Sequence, residues 1–117
     1  MKKIYHLATC NTCQRIIAEL ELPDNFELQE IKSTPITEAQ LDHMKDLAGN
    51  YEALFSKRAQ LYRQRGLNEK VLTEDDFRNL ILEHYTFLKR PVTIVGDEIF
   101  VGNSKKVVEA AKNTIHP

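Results

Sequence analysis

Hydrophobic positions along this chain follow two periods, and the changes between them mark its elements. Lys3 to Leu7 is a short apolar run that reads as a buried strand. Cys13, Ile16, Ile17 and Leu20 then fall at i, i+3, i+4 and i+7, one stripe of a helix. That helix is predicted from Thr12 to about Leu22, stopped by Pro23. Phe26-Glu27-Leu28-Gln29-Glu30 alternates and predicts a second strand with Phe26 and Leu28 inward. Ser33-Thr34-Pro35 reads as a loop. Thr37, with Gln40 three residues on, forms a capping box for a helix carrying Leu41, Met44 and Leu47, and Gly49 stops it. Tyr51 to Arg65 is predicted helical in at least two pieces, ending at Gly66. Thr73 caps a further helix whose stripe runs through Phe77, Leu80, Ile81, His84, Tyr85 and Leu88. The period then returns to two. Val92 to Val95 and Glu98 to Val101 are β-rich, and the Gly96-Asp97 pair between them signals a type II′ hairpin. Asn103 and Ser104 are alternative N-caps for a last helix through about Lys112, packed through Val107, Val108 and Ala111.

Two strands joined by a helix imply a right-handed parallel crossover. The order βαβ, about three helices, then ββα yields an α/β fold. It suits a thioredoxin-like layout, a four-stranded mixed sheet with a helical insertion at about residues 36–86, and the expectation is one domain over 1–117. A chain that is 42% hydrophobic and 28% charged is neither disordered nor membranous. No apolar run approaches the roughly 20 residues a spanning helix needs, so no membrane association is expected. Met1-Lys2-Lys3 leads into too short an apolar run for a secretory signal. A net charge of −1 argues against direct nucleic-acid binding.

Chemistry concentrates in Cys10-Asn11-Thr12-Cys13. These are the only two cysteines, and they lie where a strand gives way to a helix. A helix start aims unpaired N–H groups and the positive dipole end at Cys10, which favours thiolate, the reactive form. Cys13 lies on the apolar stripe and should face the core. An exposed attacker backed by a shielded partner suits dithiol chemistry, with Cys10 attacking and Cys13 resolving. Two inert buried thiols are the plain alternative, which the strand-to-helix junction disfavours. Zinc needs about four ligands, and no second CxxC or His pair accompanies this one, so no metal is expected. Two cysteines in this spacing are no disulfide framework, and the cytoplasm is the default compartment.

Pro91 opens the third predicted strand, a position proline tolerates. If it faces Cys10, Arg90 lies beside the thiolate. There it could both stabilise the anion and clamp an oxyanion through its fork. An exposed strand-edge arginine is the other reading. Lys57, Arg58, Arg63 and Arg65 form a basic helix face that reads as a partner surface or as solvated charge. His84 reads as a satisfied core histidine, and His43 and His116 as surface residues.

Together these pieces resemble the arsenate reductase family of the glutaredoxin-linked, thioredoxin-fold type, which includes the Spx-type regulators. The matching residues are Tyr5-His6 before Cys10-Asn11-Thr12-Cys13, then Ala53-Leu54-Phe55-Ser56-Lys57-Arg58, Arg90-Pro91, and Val101-Gly102-Asn103. The resemblance implies that Pro91 is cis and faces the CxxC loop. It implies that His6, four residues before the nucleophile, favours the Cys10 thiolate. It also makes Asn11, Thr12, Arg58 and Pro91 substrate contacts. The family's three-arginine arsenate clamp is incomplete here. Arg90 matches one arginine; the strict register of a second holds Ser56, with Arg58 two residues on; the third position falls near Gly102. Cys13 departs from the one-cysteine pattern of this reductase branch.

Two functions follow from the resemblance. One is an enzyme, a thiol-dependent oxidoreductase with Cys10 attacking an oxyanion or a disulfide and Cys13 resolving. It binds no cofactor and is restored by a redox partner, glutaredoxin with glutathione or thioredoxin. The other is a Spx-like redox regulator with a Cys10–Cys13 disulfide switch that binds the RNA polymerase α subunit.

Overall fold

The computed structural model describes all residues, Met1 to Pro117. Its contacts define two compact units, residues 1–34 with 90–117 and residues 35–89. The first unit is built on β1 (Lys2–His6), β2 (Glu27–Glu30), β3 (Val92–Val95) and β4 (Glu98–Val101), in the order β2-β1-β3-β4. β1 and β2 are parallel, joined through α1 (Asn11–Leu20), and the β1–β3 and β3–β4 pairs are antiparallel. This is the mixed thioredoxin-like sheet the pattern predicts. The β3–β4 hairpin has Gly96 at φ 64°, while Asp97 keeps a negative φ. Positive φ at the first central residue alone is the type II′ signature.

Ile4 anchors one face of this sheet. Around it cluster Ile16 and Leu20 of α1 with Val108 and Ala111 of α5 (Lys105–Ile115), flanked by Ile17, Leu22, Phe100 and Ile115. Removing a side chain such as Ile16 from water contributes about 1.5–3 kcal/mol. Of the alternative caps for α5, Ser104 is used, its hydroxyl accepting the Val107 N–H at 3.2 Å.

Three expectations need correction. α1 stops at Leu20, because Glu21 turns left-handed at φ 50° before Pro23 is reached. Phe26, just before β2, is buried, but within β2 Leu28 is 48% exposed while Gln29 is buried. Leu28 shares the face of Ile4, its register partner, but β2 is the sheet's edge and the helices do not cover it. Gln29 can sit inside because its amide donates to the Thr34 carbonyl at 3.0 Å.

The third correction lies in the 35–89 unit. There α2 (Glu38–Ala48) starts at the Thr37–Gln40 capping box, and α4 (Glu74–Glu83) at a matching Thr73–Asp76 box. The apolar stripe of α4 continues in sequence to Leu88, but the helix ends at Glu83. His84 is extended, and its Nδ1 accepts the Thr86 N–H at 3.3 Å and meets the Thr86 hydroxyl at 2.7 Å. A continuing helix would have given that N–H to Leu82; the imidazole instead caps a 3₁₀ turn over Tyr85–Phe87. Between these helices, the Tyr51–Arg65 stretch folds as a 3₁₀ turn at Glu52–Leu54 and α3 (Gln60–Gln64). Phe55 stands at the centre, its ring 4.8 Å from Phe77, 5.3 Å from Phe87 and 5.8 Å from Tyr62. Asp42 joins α2 to α4, accepting Arg78 Nε at 2.9 Å, Arg78 Nη2 at 3.2 Å and the Tyr51 hydroxyl at 2.6 Å. No helix in the chain is long and apolar enough to cross a membrane.

Candidate active site

Cys10 is the N-cap of α1. Its backbone is extended, at φ −93° and ψ 109°, and its carbonyl accepts the first helical hydrogen bond, from the Gln14 N–H at 3.1 Å. Cys10 is half-buried, and Cys13, three residues into the helix, is completely buried. Both are free thiols. Three residues of helix carry Cys13 round onto the stripe shared with Ile16 and Leu20.

Position gives the two thiols opposite acidities. Partial burial alone would push Cys10 up. Against it act the Cys13 N–H, the Cys13 thiol donating to the Cys10 sulfur, the Arg90 guanidinium and the Thr12 N–H, and together they hold Cys10 below the ordinary thiol value. The Cys10 side chain makes no close cap hydrogen bond of the kind Thr37 or Thr73 makes. The N–H groups of the helix start act on its charge all the same. For Cys13 burial dominates. Despite the Leu7 N–H and Arg90, it is pushed up to about 11, helped by the neighbouring Cys10.

Arg90 precedes β3, is half-buried, and acts on both sulfurs. The Arg90–Pro91 bond is cis, as the resemblance implies, and Pro91 is buried with its carbonyl accepting the Gly102 N–H at 2.9 Å. The Val101-Gly102-Asn103 segment is thereby tied to the Arg90–Pro91 corner. Asn11 is exposed at the first residue of α1, and Thr12 is half-buried, its N–H among the groups that lower Cys10. His6 ends β1 half-buried. Its carbonyl accepts the Ile31 N–H at 2.9 Å, but its Nδ1 is buried with no hydrogen-bond partner, and His6 is not among the leading influences on Cys10. Arg58 is exposed in the 35–89 unit, ahead of α3. Of the basic face, Lys57 pairs with Glu52 at 3.4 Å and Arg65 with Glu83 at 2.8 Å, so half of it is engaged within its own unit. No cluster of three or more His, Cys, Asp or Glu side chains could hold a metal ion.

One residue beside the site escaped the sequence reading. Glu30, the last residue of β2, accepts the Ala8 N–H at 2.8 Å with one carboxylate oxygen. With the other it accepts the Lys32 N–H at 2.9 Å, the Ser33 N–H at 2.7 Å and the Ser33 hydroxyl at 2.9 Å. The only signal in the sequence is a strand-final carboxylate before a serine-containing turn.

Comparison with known proteins agrees with this architecture. The ArsC family matches residues 5–111. An arsenate reductase of Acidiphilium multivorum is 23% identical over 93 residues, which span 78% of this chain and 66% of that protein. The chain thus covers just under two thirds of that relative's length. Among solved structures, an arsenate reductase from Vibrio cholerae superposes with a TM-score of 0.77 at 18% identity, covering 97% of this chain and 96% of that one. An arsenate-reductase-related protein from Brucella melitensis superposes at 0.70 and 22% identity, covering 93% and 92%. At those identities the structural likeness concerns the fold, whereas the family match runs through both cysteines, Arg90 and Pro91, and by it this chain belongs to the ArsC family.

Proposed function

We propose that this protein is a thiol-dependent oxidoreductase of the arsenate reductase kind, with Cys10 as nucleophile and Cys13 as resolving thiol. The observation that carries the reading is the placement of two free thiols one helical turn apart, Cys10 half-buried as the N-cap of α1 and Cys13 completely buried on its apolar stripe, a setting that holds Cys10 down and Cys13 up. With arsenate, the Cys10 thiolate forms a sulfur–arsenic bond and hydroxide departs as water. Cys13 then attacks the Cys10 sulfur. The new S–S bond forms as the S–As bond breaks, and the electron pair stays on arsenic, which leaves as arsenite. The Cys13 proton goes to the departing oxyanion. Two electrons pass from the dithiol to the substrate, and glutathione with glutaredoxin, or thioredoxin, returns them. With a disulfide substrate, Cys10 expels one sulfur as a thiol and Cys13 expels the other. Arg90 supplies positive charge where negative charge gathers, with Asn11 and Thr12 at the helix start; the place of Pro91 in the site rests on the family resemblance. The roles of His6 and Arg58 rest on the family resemblance.

The test is an arsenate-reduction assay with glutathione and glutaredoxin, and with thioredoxin, run beside Cys10→Ser and Cys13→Ser. Cys10→Ser should abolish turnover; an active Cys10→Ser protein refutes the mechanism. If no arsenate or disulfide is consumed, and the chain instead binds the RNA polymerase α subunit in one redox state only, the Spx-like reading replaces this one.

A further inference from the structure

Leu7 is the point on which both cysteines hang. Its carbonyl accepts the Cys10 N–H at 3.1 Å, and its N–H acts on the Cys13 sulfur. The peptide that joins Leu7 to Ala8 has this carbonyl at one end and the Ala8 N–H at the other. Glu30 holds that N–H at 2.8 Å. A chain of contacts therefore runs from the Glu30 carboxylate, through one peptide group, to the backbone of the nucleophile. A charged acceptor on the N–H polarises the carbonyl and strengthens its bond to Cys10. On the far side, the Gln14 amide reaches the Ala8 carbonyl at 3.4 Å.

The carboxylate is itself immobilised. Its second oxygen is spent on the Lys32 and Ser33 N–H groups and the Ser33 hydroxyl, so it is anchored to the turn after β2. β1 and β2 are locked side by side beneath it, His6 facing Glu30 in register and the Ile31 N–H on the His6 carbonyl at 2.9 Å. Such an anchored acceptor fixes the strand-to-helix loop in the way that supporting hydrogen bonds fix ligands around a metal.

We propose that Glu30 is a positioning residue for the dithiol: by gripping the Leu7–Ala8 peptide it keeps Cys10 at the start of α1, its sulfur within the field of the Thr12 and Cys13 N–H groups. This rests on the reading of Cys10 as the reacting thiolate. The Ala8 N–H is the strongest influence holding Glu30 down at about 2, so the carboxylate is charged wherever Cys10 works.

The sign of the effect separates positioning from plain electrostatics. A carboxylate acting only through space would raise the pKa of a nearby thiol, so neutralising it would make Cys10 more acidic and more reactive. Positioning predicts the reverse. The test follows the Cys10 thiolate by ultraviolet absorbance and by iodoacetamide alkylation across pH, in wild type, Glu30→Gln, Glu30→Ala and Ser33→Ala, each shown folded by circular dichroism. In Glu30→Gln and Glu30→Ala the Cys10 midpoint should move up, with alkylation at pH 6 slower by about three- to fourfold for each unit moved, since the tenfold loss of thiolate is partly offset by its higher nucleophilicity. Ser33→Ala, which keeps the Ala8 contact, should leave the midpoint in place whatever it does to thermal stability. If Glu30→Ala does not fold, Glu30→Gln decides. An unmoved or lowered midpoint in the folded Glu30 variants, or an equal rise in Ser33→Ala, overturns the proposal. A wild-type midpoint at the ordinary thiol value sinks the reading of the site instead, while the difference between wild type and Glu30→Gln still decides the role of Glu30.

Discussion

Alkylation at neutral pH should strike Cys10 and spare Cys13, and the margin can be worked out. A thiol titrating near 11 is about one part in 10⁴ thiolate at pH 7. A thiol at the ordinary value of 9.0 would be about 1% thiolate at the same pH. Cys10 lies below that value, so that figure is its floor and the population ratio is at least about 100. The more basic thiolate is intrinsically more nucleophilic, which returns up to about tenfold to Cys13. The net preference is then at least about 10-fold. Access widens it further, since Cys13 is 0% exposed. Brief iodoacetamide treatment of the reduced protein at pH 7, followed by mass spectrometry of its peptides, measures the ratio directly. Equal labelling of the two cysteines, or labelling of Cys13 first, would refute the assignment of roles and the physics behind it.

Three further outcomes are expected. Arg90→Ala should slow turnover by about 10²-fold or more, as loss of a positioned charge partner does, and should raise the Cys10 midpoint; unchanged kinetics would remove Arg90 from the site. Glu30 is lowered from 4.5 to about 2, so the folded state gains from its ionisation above 4.5 and loses that gain as pH falls toward 2. Urea unfolding across this range should therefore show a shallower acid loss in Glu30→Gln than in wild type, and parallel curves would contradict it. Ile16→Ala empties a fully packed position between α1 and β1 and should cost about 2–5 kcal/mol by urea unfolding, and a loss below about 1 kcal/mol would mean that the cluster around Ile4 closes over the gap.

What was legible in the sequence was whatever local chemistry decides. Thr37 with Gln40 specified a helix start because the box satisfies N–H groups within four residues. Val92 to Val95, Gly96-Asp97 and Glu98 to Val101 specified a hairpin because one φ and two alternating runs suffice. Cys10 and Cys13 could be told apart because three residues of helix separate a cap from a buried stripe. What was illegible depends on neighbours distant in sequence. Leu28 alternates correctly, yet is left in the open because β2 has a partner on one side only. The stripe from Phe77 to Leu88 is periodic throughout, but a local competitor, the His84 imidazole, takes the Thr86 N–H and ends the helix. His116 is exposed, as it reads, but nothing in the sequence shows that its Nε2 meets the carbonyl of Leu20, the last residue of α1, at 2.9 Å across 96 residues of sequence. Glu30 was invisible for the same reason. Its key partner is a backbone N–H twenty-two residues away, and no side-chain pattern announces a backbone donor.

On the proposed mechanism, the setting of the two thiols favours one order of reaction. Were Cys13 to attack first, it would have to shed a proton inside a core that holds it near 11, and the one base among the groups acting on it is the Cys10 thiolate itself. Once Cys10 carries the substrate, the balance shifts. The negative charge on Cys10 that helped to hold Cys13 up is gone, while the Leu7 N–H and Arg90 still favour a Cys13 thiolate. The departing group supplies the proton acceptor that the core lacks. On this proposal Cys13 is suppressed until Cys10 has reacted and is released by that reaction, which is the sequence of events a resolving thiol requires.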